Sequence, residues 1–425
     1  MKPVSYWLDS APAFAGAETG AVEGEVDVAV VGGGFTGLSA ALALAQAGAS
    51  VMVLERGRVV GAQSGRNGGH VNNGLAHDFG AVAQRLGMEQ ARGLYRAFDA
   101  AVDTVERIVM EQQIACDFRR GGKIKLAASA AHFEGMARGF DVLQREADAE
   151  TELLERGRVR EEIGSDIFHG ALVYRRSAQM HMGKFGAGLA VAAARHGARI
   201  FENAGVTQWR RQGGAAYRLT TARGIVLARR VFVATGAAVN GPWFFRRRII
   251  PIGSFIIATA PLSEAQVNSI MPTRRTATTT RHIGNYFRIA PDNRLIFGGR
   301  ARFALSNPAS DVKSGLVLQG QLREMFPQIA AVPIDYCWGG EVDATADRLP
   351  RAGERDGMVY AMGLSGHGTQ MSVHLGQCMA RVMGGEAAAN PLAELAWPAV
   401  AGHFGPPWFL PAVGLYYRIK DRLGA

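Results

Sequence analysis

Apolar residues run almost unbroken through 26–31, stop at a cluster of glycines, resume at helical spacing and run again through 51–54. Short continuous apolar runs bounded by turn residues predict strands buried on both faces. Between them Leu38, Ala41, Leu42 and Ala45 predict one face of a helix, and Gly48 stands at its C-terminal cap position. Further on, helical periodicity covers 92–113 and 132–155. The alternating segment 121–127 predicts a strand with Lys123 and Lys125 toward solvent. A helix over 184–195 closed by Gly197 follows, then a strand over 198–202. A short hairpin is expected from 216–221 and 225–228, then a separate buried strand over 230–236. Residues 250–335 change texture to short β-type runs with arginines and prolines, which predicts an antiparallel domain. The chain then returns to an apolar strand at 358–362, a glycine turn at 363–368 and a helix to about 383. Residues 1–25, rich in Ala and Gly, predict a loosely ordered lead-in.

The first strand–turn–helix–strand has a specific chemistry. Gly32-Gly33-Gly34-Phe35-Thr36-Gly37 opens the helix, and Glu55 ends the second strand. Gly32 permits the tight turn, Gly34 lets backbone approach a pyrophosphate, and Gly37 lets the helix pack on the strand. The helix N-terminus offers free N–H groups and a positive dipole end to phosphates. Glu55 is placed to accept hydrogen bonds from a ribose diol and would repel a 2′-phosphate, so FAD or NAD fits better than NADP.

Composition narrows the class. A chain of 425 residues, 48% hydrophobic and 20% charged, is a folded protein long enough for two domains. Its formal charge of +10 comes mainly from scattered arginines without an aromatic-interleaved basic motif, which argues against nucleic acid. An electropositive funnel for an anionic ligand and ordinary surface charge both remain open. Cys116, Cys337 and Cys378 show neither metal-ligand nor disulfide spacing, so no metal is expected. No long apolar run or cleavage pattern opens the chain, which predicts a cytoplasmic protein. The aromatic and basic tail, 408–423, fits contact with a membrane or a partner as well as packing on its own domain.

Four elements in this order resemble the D-amino-acid-oxidase-like superfamily of FAD-dependent amine oxidoreductases. They are the glycine fingerprint with Glu55, the loop Ser64-Gly65-Arg66-Asn67-Gly68-Gly69, the strand end Ala234-Thr235-Gly236, and the turn Gly363-Leu364-Ser365-Gly366-His367-Gly368. Within it the chain looks most like the γ-glutamylputrescine oxidoreductase group, through Ser5-Tyr6-Trp7, Asn293-Arg294-Leu295-Ile296-Phe297-Gly298-Gly299 and Trp338-Gly339-Gly340 as well. The resemblance implies an α/β fold: a Rossmann-like FAD-binding domain and a second, mixed or antiparallel β-sheet substrate domain. The FAD domain is expected from 26–84, 166–245 and 338–390, and the substrate domain from 85–165 and 246–337, followed by a tail helix in 391–425. The expected cofactor set adds Arg56, Val206, Gly339 and Thr369 to the residues of the four elements. Some relatives link FAD to a histidine or cysteine. Arg66 falls at that histidine position, His70 lies beyond it and no cysteine falls near the late turn, so FAD is expected to be non-covalent.

The resemblance also bears on substrate. Relatives like glycine oxidase carry an arginine clamp for the substrate carboxylate where this chain has Val342. Relatives like sarcosine oxidase carry a lysine where it has Gln370. Carboxylates are best held by guanidinium or ammonium groups, so an amine without an adjacent carboxylate fits better than an α-amino acid. Glu341 and Asp343 fit a cationic amine or solvated strand-end charges. Arg288, Arg294 and Arg300 are candidates for a distant carboxylate. His367 is expected to tune the flavin or help deprotonate the amine, or else to be a turn histidine bonded to backbone. Tyr286 is a pocket wall, a donor, or core. The expected reaction passes a hydride from a primary or secondary amine to the flavin, the imine hydrolyses to an aldehyde, and oxygen reoxidises the flavin. A dehydrogenase reducing a quinone or carrier and a non-enzymatic FAD-binding protein are the alternatives.

Overall fold

A computed structural model describes residues 1–213, 216–238, 241–301 and 303–423. Two eight-stranded sheets dominate it, and a small three-stranded sheet accompanies them. The first sheet is built around parallel strands in the order Arg199–Phe201, Val51–Leu54, Glu25–Val31, Gly224–Val233 and Met358–Met362. Those strands are short and apolar because helices cover them. The helices Phe35–Gln46, Met182–Arg195 and Gly368–Met383 share one core with Val28, Val30, Val51 and Val53, and the other face packs on Val26, Met52, Phe201 and Tyr360. All five parallel strands end toward the same side, which is where open α/β sheets place their ligands.

The second sheet is mixed. Its strands Glu152–Glu155, Gly170–Tyr174 and Lys123–Leu126 are antiparallel, Thr276–Thr279 pairs parallel with Lys123–Leu126, and Asn285–Ile289, Leu295–Gly299, Ile250–Thr259 and Ile334–Ala344 continue antiparallel. The helix Pro308–Met325 packs on it, burying Leu318, Leu322 and Met325 with Phe255, Ile257 and Phe297.

Several expectations change. The hairpin and the separate buried strand of 216–236 are different: 224–233 is one strand. Its first half pairs antiparallel with Tyr217–Thr221 and its second half pairs parallel with Met358–Met362, so the change of texture marks a change of neighbour along one edge. The helix expected over 132–155 ends at Glu146, and Glu152–Glu155 is a strand. Region 250–335 holds an unforeseen helix, Pro308–Met325, capped by the Asn307 side chain on the Ser310 N–H. Lys123 does not face solvent. It is buried, donates to the Asn73 carbonyl and sits 4.1 Å from the Tyr174 ring centroid, while Lys125 is half-buried. The lead-in is anchored: Tyr6 and Trp7 are buried, Ser5 Oγ donates to the Gly65 carbonyl at 2.6 Å and Trp7 Nε1 to the Asn67 carbonyl at 2.6 Å. Among the described residues no helix is long and apolar enough to cross a membrane.

Candidate active site

The ends of the parallel strands open into a cavity of about 710 Å³ that extends across to the second sheet. Its size lies within the range of small-molecule sites. At the strand end of the cavity, Gly32 has φ 114°, and a Cβ there would meet the Ala234 carbonyl oxygen at 2.4 Å. Only glycine takes that turn without strain. The helix beginning at Phe35 follows with no side-chain cap of its own; instead the Phe35 N–H donates to Ser64 Oγ at 3.0 Å. Glu55 receives the Gly33 N–H at 2.7 Å and the Gly57 N–H at 2.8 Å. A carboxylate has about four acceptor sites, so two remain for a diol.

Of the sequence-derived candidates, Gly32, Gly34, Phe35, Thr36, Glu55, Arg56, Ser64, Arg66, Asn67, Gly68, Val206, Thr235 and Gly236 line the cavity. So do Tyr286, Glu341, Asp343, Ser365, Gly366, His367, Gly368, Thr369 and Gln370. Gly37, Gly65, Gly69, Gly339 and Gly363 are not in the lining; they support it from behind. Gly363, for example, donates its N–H to Asp343 Oδ2 at 2.7 Å. Asp343 is therefore structural, because its carboxylate secures the late turn, and burial pushes its pKa up to about 6. Gln370 is likewise committed, donating to the Asn72 carbonyl. Asn67 Oδ1 accepts from the Gly69 N–H at 2.9 Å and from Thr369 Oγ1 at 3.3 Å, tying the early loop to the start of the helix Gly368–Met383. Arg66 is held by the Gly61 and Gly339 carbonyls at 3.1 and 3.0 Å.

At the other end His367 and Tyr286 face the same space. His367 Nδ1 is buried without a hydrogen-bond partner among the described residues, and the ring packs edge-on to Phe98 with centroids 5.3 Å apart. Burial, reinforced by Lys123 and Arg348, holds its pKa down to about 3. The imidazole is therefore neutral near pH 7. Unfolded histidine takes its proton near pH 6.5, whereas folded His367 resists until about pH 3. Its contribution to stability is complete above the first value and lost as pH falls toward the second. His367→Asn is expected to flatten part of the acid limb of the melting curve across that window; an unchanged slope would mean the ring protonates in the folded protein. Tyr286 shares a 2.9 Å hydrogen bond with Ser254 Oγ, and burial pushes its hydroxyl up to about 12. It stays protonated and able to donate.

The three arginines considered for a distant carboxylate part ways. Arg288 is buried, donating to the Gly69 and Met180 carbonyls at 2.7 and 2.8 Å. Arg294 pairs with Asp292 and Asp335. Arg300 lines the cavity and makes no ion pair among the described residues. Beside it stands Arg348, which no sequence signal singles out. It also lines the cavity without an ion pair among the described residues, and its Nε is buried and unpartnered. Burial lowers both pKa values, and the Arg348 charge adds to the effect on Arg300, which falls to about 10. Arginine keeps its charge regardless. Two cations facing one space, neither of them paired with an acid among the described residues, offer a receptor for an anion. Tyr417 reaches the same wall from the tail, stacked on His282 with centroids 5.1 Å apart. Arg348 sits at φ 57°, a conformation with no local signal in its own residue type.

The donor set fits a dinucleotide with a redox ring. A helix N-terminus and glycine turn would hold the pyrophosphate and Glu55 the ribose, and an orphaned buried His367 nitrogen faces the far end.

Comparison with known proteins agrees. The family model described as FAD-dependent oxidoreductase (DAO) matches residues 27–382. The chain is 33% identical to γ-glutamylputrescine oxidoreductase of Escherichia coli (strain K12) over 425 residues, covering 99% of this chain and 98% of that one. It is 30% identical to a probable oxidoreductase, OrdL, of Haemophilus influenzae, over 93% of this chain and 92% of that one. In fold it resembles the L-amino acid deaminase of Proteus myxofaciens, with TM-score 0.72 at 16% identity over 89% of this chain and 94% of that one. Glycine oxidase of Geobacillus kaustophilus gives TM-score 0.67 at 20% identity over 90% and 100%. A Rossmann-like domain joined to a mixed-sheet domain, a glycine cradle at the strand ends and a family match across both place this chain among the FAD-dependent oxidoreductases of the DAO family.

Proposed function

We propose that this enzyme oxidises an amine carrying a remote carboxylate, a γ-glutamylputrescine-like molecule, to an imine that hydrolyses to an aldehyde. The observation that carries the proposal is the unpaired Arg300–Arg348 wall in the cavity that His367 and Tyr286 also line. The two positions at which amino-acid-oxidising relatives carry their clamp hold Val342 and the committed Gln370, which leaves the anion to the arginines. The sequence likeness to γ-glutamylputrescine oxidoreductase supports the same substrate class.

The chemistry FAD supplies when bound is acceptance of the hydride from the amine's α C–H bond. The chain's own residues bind and orient. Gly32, Gly34 and Thr36 are assigned to the pyrophosphate and Glu55 to the ribose. The N–H groups that open the helix Gly368–Met383 are assigned to the anionic edge of the reduced ring. His367, neutral and with a free nitrogen, accepts a hydrogen bond from the incoming amine. Tyr286 donates a hydrogen bond. Glu341, half-buried with its pKa raised by burial, lines the same cavity and is the candidate partner for the amine's charge. The flavin is proposed to be non-covalent, since Arg66 at the linking position is engaged with backbone, and oxygen is the proposed final acceptor, yielding hydrogen peroxide.

The test is anaerobic bleaching of the visible flavin band by a panel of amines and amino acids. Bleaching by γ-glutamylputrescine with glycine and D-alanine inert is the expected result. Bleaching by α-amino acids alone would sink the proposal. Peroxide released on admitting oxygen distinguishes an oxidase from a dehydrogenase, and acid precipitation that leaves flavin in the supernatant checks the non-covalent link.

A further inference from the structure

The helix Leu410–Leu423 has two faces with opposite characters. Inward, Leu410 and Gly414 are buried, Tyr417 stacks on Phe303 at 5.7 Å, and Asp421 accepts the His282 and Ile283 N–H groups at 2.8 Å each. Outward, an ordinary helix would show polar residues. This one presents Leu415, Tyr416 and Ile419, exposed by 60%, 54% and 50%, and Trp408 just before the helix is exposed by 74%. Trp408 is fixed by its Nε1 donating to the Gly402 carbonyl at 3.2 Å, and four residues before it Phe404 stacks with Trp243, both more than half exposed. Exposed apolar side chains thus recur from Trp243 through Phe404 and Trp408 to Ile419, and patches of this kind mark interaction sites.

Charge narrows the occupant. Segments 241–249 and 397–423 carry Arg246, Arg247, Arg248, Arg418, Lys420 and Arg422 and a single acid, Asp421, which is spent on the inward face. The Arg246 and Arg247 guanidinium groups lie over the Trp243 ring at 5.4 and 5.9 Å, so cations border the apolar surface directly. A second copy meeting this face would bring one basic set against another, with no free acid on these segments to pair with it. Tryptophan, tyrosine and leucine rimmed by arginine match instead the boundary between acyl chains and anionic headgroups.

We propose that this face docks on an anionic bilayer surface, with Trp408, Leu415 and Ile419 inserted at headgroup depth and the basic rim on the lipid phosphates. The protein lies on the membrane through this helix. Holoenzyme is mixed with vesicles of phosphatidylglycerol and phosphatidylcholine or of phosphatidylcholine alone, then sedimented. Binding to the anionic vesicles, weakened by salt, is expected, with Trp408 fluorescence quenched by brominated lipid. The variant Trp408→Ser/Leu415→Gln/Ile419→Gln should bind at least roughly tenfold more weakly while keeping its flavin and melting temperature, since all three side chains are exposed. A separate Lys420→Gln variant should reduce the salt sensitivity. Absence of binding to either vesicle, or unchanged binding by the triple variant, would overturn the proposal. So would a concentration-dependent dimer that the same substitutions dissociate, because the second copy would then be the occupant.

Discussion

Gly37→Ala is expected to yield a colourless protein. A Cβ built on Gly37 falls 1.9 Å from the Gly32 carbonyl oxygen and 3.1 Å from Val30 Cγ1. The first of these is backbone in the turn assigned to the dinucleotide, so no flexible side chain can move aside. Relief requires the helix Phe35–Gln46 to lift from the strand Glu25–Val31, and its first N–H groups move with it. Forced overpacking of this kind costs about 1–3 kcal/mol in stability. The loss of cofactor is expected to be the larger effect, because hydrogen-bond geometry at the helix N-terminus weakens steeply with misalignment. The ratio of flavin to protein absorbance after purification measures it.

Gly93→Ala supplies the contrast. Gly93 lies inside the helix Met88–Glu111, and a Cβ there meets nothing within 4 Å. The substitution should retain full flavin and add about 0.5–1 kcal/mol, since glycine is the poorer helix former. A colourless Gly93→Ala protein, or a fully yellow Gly37→Ala protein, would show that helix packing does not set the cofactor site.

These two glycines also show what can be read from the sequence and what cannot. The first strand, its turn and its helix are legible because every local signal agrees: apolar runs, glycines at the turn, helical spacing, an acid at the next strand end. The same holds for Met358–Met362, the late glycine turn and the helix after it. Legibility fails where the deciding partner is distant. Strand Gly224–Val233 reads as two elements because its edge is shared by two neighbours far apart in the chain. Lys123 reads as a solvent-facing position, but its partners, the Asn73 carbonyl and the Tyr174 ring, come from other segments. The helix Pro308–Met325 does leave a local signal, Asn307 followed by Pro308, a cap and a first-turn proline. Its weak apolar stripe hides it among β-type runs. At the site, most residues expected at the cofactor fall in the cavity lining and five glycines stand outside it, whereas the cation wall is only half visible. Arg300 is one of three candidates that alternation along strands does not separate, and neither Arg348 nor Tyr417 carries any mark of its place in the cavity.

That wall predicts the second large effect. In Arg300→Ala/Arg348→Ala, kcat/KM for a carboxylate-bearing amine is expected to fall roughly 100-fold or more, while that for a plain diamine stays within a few-fold. Hydrogen bonds to charged groups contribute about 1.5–3 kcal/mol each. Two guanidinium groups facing one carboxylate do not add fully, so the double variant should fall short of the product of the singles. The loss should lie chiefly in KM, because an anion held away from the reacting carbon binds ground state and transition state alike. Removing the arginines also relieves the repulsion between two half-buried cations, so the variant should fold and bind flavin normally, which its visible spectrum and melting temperature check. Equal losses for the diamine and the carboxylate-bearing amine would mean that the arginines serve the cofactor or the reacting centre. An unchanged KM for both would show that the anion, if the substrate has one, rests elsewhere.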